Sequence, residues 1–200
     1  MHAFSTNSSE RKHVPFFVAI LAIGASMMVS SIVSSFHLEL PWWAPPLDTM
    51  AFYGCFYGLF DRFIWKWKPI QVLRISRLPV IAGRWRGRIE PANAGDASIA
   101  LAKTINVEVM IHQTWLGLLI CAETSESKSR SVSANLLIGD EATLSYEYLN
   151  EPRMSATSTM HTHRGTARLV LKKDGTVLEG EYYSGRDRQS FGAIYLRKVS

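Results

Sequence analysis

Hydrophobic and polar positions follow two different rhythms along this chain. Residues 14 to 36 carry no charged side chain at all, from Val14 to Phe36. A helix crosses a bilayer core with about 20 mostly apolar residues, so this run predicts a membrane span at about 14–36. A second apolar stretch follows, about 45–65. Only the twelve residues between Asp48 and Asp61 are charge-free there. Trp42 and Trp43 precede this stretch and Trp65 and Trp67 end it, as aromatic pairs do at the two headgroup levels. Trp43 to Trp65 makes about 33 Å of helix, one hydrocarbon thickness. A cleaved signal peptide has a shorter apolar core and a small-residue cleavage site, which this run lacks. A buried amphipathic helix of a soluble domain is the alternative for the second stretch.

From Gly83 the rhythm changes to period two, the mark of half-buried strands. Eight segments alternate: Ile81–Glu90, Thr104–Gln113, Leu116–Thr124, Ser129–Ile138, Ala142–Asn150, His163–Lys172, Thr176–Ser184 and Ser190–Lys198. Turn residues separate them, among them Gly139-Asp140 and Asp174-Gly175, the latter expected to take positive φ at both positions. Eight short strands with tight connections predict an up-and-down antiparallel barrel, which removes exposed edges. A two-sheet sandwich is the alternative. The fold class is thus a two-helix transmembrane hairpin followed by an all-β, lipocalin-like eight-stranded minimal β-barrel. The domains are 1–65 for the hairpin, 66–82 for a basic linker and 83–200 for the barrel. Ile70 to Leu78 of the linker is expected to form one or two helical turns.

Charge orients the hairpin. Arg11 and Lys12 precede the first span, and residues 63–82 hold Lys and Arg but no acid beyond the second, while the loop His37–Pro46 has neither Lys nor Arg. By the positive-inside rule both termini face the cytoplasm. The net charge of +5 has this juxtamembrane origin, since residues 83–200 hold 15 basic and 13 acidic side chains. It suits anionic lipid and gives no reason to expect nucleic acid. Small residues recur at Ala22, Ser26, Ser30 and Ser34, and Gly54 with Gly58 makes a G-x-x-x-G. Such faces pack helices closely in lipid, within one hairpin or between neighbours.

Candidate chemistry comes last. Cys55 and Cys121 are too far apart in character to pair, and no Cys/His spacing matches a zinc site. His161 and His163 read as structural or solvated. Hydrolase and phosphate-loop motifs are absent, and Glu179 and Glu181 face outward by parity, so neither catalysis nor a cofactor or metal is expected. Alternation gives an inward set running from Trp85, Gly87 and Ile89 through Val132, Ala134 and Leu136 to Ile194 and Leu196. Continued to one end, these rows turn polar at Thr124, Arg130, Asn150, Ser184 and Arg186, with Tyr146, Tyr148 and Tyr182 deeper in. In a meander those ends share one rim. Aromatic faces stack on bases and Arg forks fit phosphate oxygens, so the mouth suits an anionic ligand with flat rings. Strand ends that simply reach water account for the same polarity.

Four stretches carry a family resemblance. They are Gly83-Arg84-Trp85-Arg86-Gly87, Tyr146-Glu147-Tyr148-Leu149-Asn150-Glu151-Pro152, His163-Arg164-Gly165, and Leu178 through Arg186. In this order behind two spans, the chain resembles the two-transmembrane, β-strand-rich effectors of bacterial CBASS antiphage systems. Where that family leads one to expect a Thr after the Tyr pair, this chain has Ser184-Gly185. The resemblance implies a barrel that binds a cyclic dinucleotide made by a partner synthase. It implies oligomerisation of the bound protein, disruption of the inner membrane and death of the infected cell. By parity, Arg130 and Arg186 are assigned to the phosphates, Tyr146 or Tyr148 to a base, and Thr124 and Asn150 to base edges or ribose. Tyr182 and Ser184 complete the set. A membrane-tethered, lipocalin-like carrier of an apolar ligand is the rival, and it would need an apolar mouth. A structural anchor without ligand is a third reading.

Overall fold

A computed structural model describes residues 1–37, 41–92, 104–157, 161–185 and 190–199. The chain divides into two compact units, residues 8–77 and residues 1–7 with 78–200. The sequence pattern assigns residues 1–7 to the hairpin. The structure pairs them with barrel strands instead.

The helical unit contains α1 (Glu10–Ser35), α2 (Ala44–Arg62) and the single-turn α3 (Lys68–Val72). Among the described residues α1 is the one helix long and apolar enough to cross a membrane, with mean hydropathy 2.3. α2 has 19 residues, about 28 Å at the helical rise. The two run antiparallel. Ser26 Oγ donates to Pro45 O at 3.2 Å at one end, and Arg11 lies within electrostatic reach of Asp61 at the other. Val14, Val18, Ala22 and Ser26 form the buried stripe of α1, so half of the predicted small-residue face packs inside the hairpin. Gly54 and Gly58 are exposed, with open space where a Cβ would stand. The helical turn expected at 70–78 begins earlier, at Lys68, because Pro69 occupies the helix's first turn, where its missing N–H costs nothing. The linker returns to the start of α1. The buried Glu10 carboxylate accepts from Ser76 Oγ at 2.8 Å and from the Arg77 N–H.

The barrel strands are β2 (Gly83–Ala92), β3 (Ile105–Gln113), β4 (Gly117–Glu123), β5 (Ser127–Leu137), β6 (Ala142–Pro152), β7 (His163–Leu171), β8 (Val177–Ser184) and β9 (Phe191–Lys198). All eight predicted strands are present. Each pairs antiparallel with its sequence neighbours, and β2 closes the ring against β9 from Trp85↔Lys198 to Ala92↔Phe191. The seam between β4 and β5 is the weak one. It has three register pairs, Cys121↔Arg130 to Glu123↔Lys128, and then the strands part. A short strand β1 (His2–Ala3) fills the gap, pairing His2↔Leu118 and Ala3↔Gly117 on β4. On the other side Ser5 exchanges bonds with Ala134 O and Leu136 N. Asn7 then bonds both the N–H and the C=O of Ile138.

One end of the barrel is solid. Trp85, Trp115, Leu78, Ile81, Ile111, Leu118, Leu136, Leu144, Leu169 and Leu178 are fully withdrawn from water there. Each such aliphatic side chain contributes roughly 1.5–3 kcal/mol. Gln113 caps the incoming chain. Its Oε1 accepts from Ile81 N and Ala82 N, and its Nε2 donates to Pro79 O. At this end the β7–β8 hairpin departs from the expected turn. Only Gly175 takes positive φ, at 70°. Gly175 N donates to Lys172 O, giving a type I turn with glycine in the following left-handed position.

β5 carries a bulge between Ser131 and Ser133, which leaves Val132 without a register partner and 48% exposed. The bulge shifts the phase of the strand. Ser127, Ser129 and Ser131 turn inward before it, and Ala134 and Leu136 after it. The inward place predicted for Val132 is thereby overturned.

Candidate ligand-binding site

The other end of the barrel is open, and a cavity of about 250 Å³ lies behind it. Its floor is aliphatic, from Val107, Val109, Ile194 and Leu196. Above the floor, register stacks the polar groups in rows. One row runs Ala134, Tyr146, Ala167, Tyr182, Gly192, Pro91 across six strands. The next runs Ser131, Tyr148, Gly165, Ser184, and the outermost Ser129, Asn150, His163.

Glycines hold the tyrosines in place. A Cβ on Gly165 would stand 2.4 Å from Tyr148 Cζ and Oη, and one on Gly192 would stand 2.9 Å from the Tyr182 ring. Each ring therefore lies across a cross-strand glycine that leaves it room. Tyr146 packs against Tyr148 with ring centroids 6.1 Å apart. Burial pushes the Tyr146 phenol above its ordinary range, so it stays a neutral donor.

Of the residues predicted for the mouth, Thr124, Tyr146, Tyr148, Asn150 and Tyr182 line the cavity. Thr124 does so with its hydroxyl engaged in the β4–β5 turn, accepting from Ser127 N at 3.0 Å and Glu126 N at 3.2 Å. Ser184 stands outside the lining. Its Oγ accepts from Ser190 N at 2.8 Å and donates to Ser190 O at 2.9 Å, closing the β8–β9 connection so that Ser190 faces the cavity. Arg130 is a correction. It lies before the β5 bulge, on the parity of Lys128, and its side chain is on the outer surface. Arg186 lies outside the described residues.

Sequence reasoning missed Ser127, Ser129, Ser190, Glu126 and His163. His163 is buried, and its Nδ1 donates to His161 O at 2.9 Å, since a carbonyl only accepts. Glu126 lines the cavity as well.

A closed antiparallel barrel, solid at one end and open through an aromatic, hydroxyl-rich mouth, carried with an apolar helical hairpin, defines a membrane-associated small-ligand receptor. Family comparison narrows that class. The model described as "Cap15, cyclic dinucleotide receptor domain" matches residues 76–198, and "Cap15, TM helices" matches residues 12–66. The chain belongs to the Cap15 family, the CBASS-associated receptor family whose resemblance its sequence carries. It is 24% identical over 191 residues to CD-NTase-associated protein 15 of Yersinia aleksiciae, covering 93% of this chain and 88% of that protein.

Proposed function

We propose that this protein is a membrane-anchored effector of a CBASS antiphage system that binds a cyclic dinucleotide in the mouth of its barrel. The single observation that carries this is the cluster of Tyr146, Tyr148 and Tyr182 lining the cavity beneath the Ser129–Asn150–His163 row. Aromatic faces take a base without reading it, and the amide, hydroxyl and imidazole groups above meet its edge or the ribose. The cavity is smaller than the roughly 300–1,000 Å³ of ordinary small-molecule sites. One base and its sugar enter, and the phosphate ring stays at the rim. Arg186, two residues beyond the mouth end of β8 in the chain, is the cation we assign to the phosphates.

The nucleotide comes from a partner synthase. Binding leads to assembly of many copies, and the helical hairpin then disrupts the inner membrane, ending the infected cell's life. Both spans cross, both termini are cytoplasmic, and the His37–Pro46 loop faces the periplasm. The second reading is an apolar-ligand carrier, and the aliphatic floor supports it. Calorimetry of the full chain in detergent against a panel of cyclic di- and trinucleotides tests both. One nucleotide should bind and should release dye from liposomes that hold the protein. Displacement of a fluorescent fatty acid with no nucleotide bound would favour the carrier.

A further inference from the structure

The eight long strands close the ring, but the β4–β5 seam is only three register pairs long. Below Cys121↔Arg130, β4 and β5 part, and backbone groups of both would face each other across an unfilled seam. Residues 1–7 fill it. His2 and Ala3 pair with Leu118 and Gly117 on one side. Ser5 N donates to Ala134 O at 3.2 Å and Leu136 N donates to Ser5 O at 2.9 Å on the other. Phe4 is 3% exposed, so the arm inserts an aromatic anchor as well as backbone. Ser131 Oγ, at the bulge, accepts from Ile120 N at 2.9 Å and bonds His2 Nε2 at 2.8 Å, tying both sides of the seam to the arm.

Along the chain this stave runs on into the helical unit. Ser8 and Ser9 lead from Asn7 into α1, which begins at Glu10. A segment joined to α1 by Ser8 and Ser9, outside the strands it pairs with, can occupy the same site on another molecule. The fit is guaranteed, because every copy has the same arm and the same seam. Every bond the arm leaves behind in its own seam is remade in the neighbour's, so the balance rests on strain in the connecting residues and on local concentration. Confinement of anchored copies to one bilayer raises that concentration.

We propose that the β4–β5 seam is a docking surface for the arm of a second copy of this chain, and that exchange of residues 1–7 between neighbours is the contact by which the protein assembles. This deepens the assembly step of the function proposed above. The exchange gives each copy one arm and one seam. It propagates along a row of anchored barrels when the two are filled by different neighbours, and it closes into a dimer when they are filled by the same one.

The test uses full-length protein in vesicles of phosphatidylethanolamine and phosphatidylglycerol, without nucleotide; crowding in the bilayer replaces the nucleotide as the drive to assemble, so failed ligand binding cannot be mistaken for failed exchange. Cys55 and Cys121 are first replaced by Ala. Ser5 and Asn135 are register partners across the seam, and strand partners lie within the roughly 4.4–6.8 Å that a disulfide spans. Protein bearing Ser5→Cys is mixed with protein bearing Asn135→Cys, at rising protein-to-lipid ratio under mild oxidation. A disulfide dimer containing one chain of each kind is expected as its main product. The double variant Ser5→Cys/Asn135→Cys, oxidised in dilute detergent before reconstitution, should close within one chain. It should then stay monomeric to glutaraldehyde at every ratio. No mixed dimer at any ratio would overturn the proposal. So would an equal yield from Ser5→Cys paired with Glu108→Cys on the outer face of β3, or assembly of the internally locked protein. A double variant that forms no internal disulfide would overturn the arm's place in the seam itself.

Discussion

Replacing Gly165 with Ala tests how the mouth holds its aromatics. The added methyl would stand 2.4 Å from Tyr148 Cζ and Oη and 2.6 Å from Tyr183 O. Carbon contacts relax only near 3.5–4.0 Å, so ring and strand must retreat by about 1 Å. Tyr183 O belongs to the β7–β8 ladder, through the Thr166↔Tyr183 pair, and yields little. Tyr148 has the cavity beside it and yields more. Overpacking of this kind costs about 1–3 kcal/mol of stability. The displaced ring also takes space from a cavity of only about 250 Å³ and loses its stacking position. Base–aromatic stacking is worth about 1–3 kcal/mol, so nucleotide affinity should fall by about ten- to hundred-fold. The control is Gly180→Ala on the same sheet. Its Cβ would meet Arg168 O at 2.0 Å, but Gly180 is outside the lining. It should lower the melting temperature and leave the affinity of the folded protein unchanged. Calorimetry and thermal unfolding of both variants decide the matter. Wild-type affinity in Gly165→Ala, with loss in Gly180→Ala instead, would refute the placement of the site.

Arg186→Ala should weaken nucleotide binding by about ten- to hundred-fold, the loss of a charge-assisted phosphate contact worth about 1.5–3 kcal/mol, while Arg130→Ala, on the outer surface, leaves the calorimetric affinity unchanged. Cysteine labelling of spheroplasts should find the His37–Pro46 loop accessible from outside, and labelling at residue 200 from that side would contradict a hairpin with both ends in the cytoplasm. Gly54→Leu with Gly58→Leu should keep nucleotide binding and lose toxicity in cells that make the nucleotide, because that face of α2 is open for a neighbouring helix. Undiminished killing by this variant would assign these glycines no part in membrane damage.

The strands were legible because burial on one face imposes period two, and turn residues mark its interruptions. The inward rows followed wherever a strand kept one phase. They failed on β5, and the conflict was visible in the letters. Lys128 and Arg130 share the parity of Val132, Ala134 and Leu136, while Ser127, Ser129 and Ser131 share the other. No unbroken strand buries the aliphatic half of that row without burying two cations, so a phase shift was required. The bulge supplies it and carries Arg130 outward. His163 was on an inward row from the start, but a lone histidine at a strand's first residue carries no signature of a cavity. The stave at residues 1–7 left no trace at all. It has two ladder residues, too few for a period, and its partners lie more than a hundred positions downstream, as His2↔Leu118 shows.

That separation sets an order of events during synthesis. The arm and both helices leave the ribosome before any of β4 or β5 exists, so residues 1–7 wait for partners more than a hundred positions downstream. Pairs this distant close late, since the loop entropy must be met before they form. Closing the seam therefore returns residues 1–7 to strands made long after them. A fragment beginning beyond α2 lacks the stave, and leaves Gly117–Leu118 and Ala134–Ile138 as open edges of the kind that invite aggregation. Completion of the barrel is thus written into chain order: residues 1–7, α1 and α2 are all made before the seam that the first of them closes.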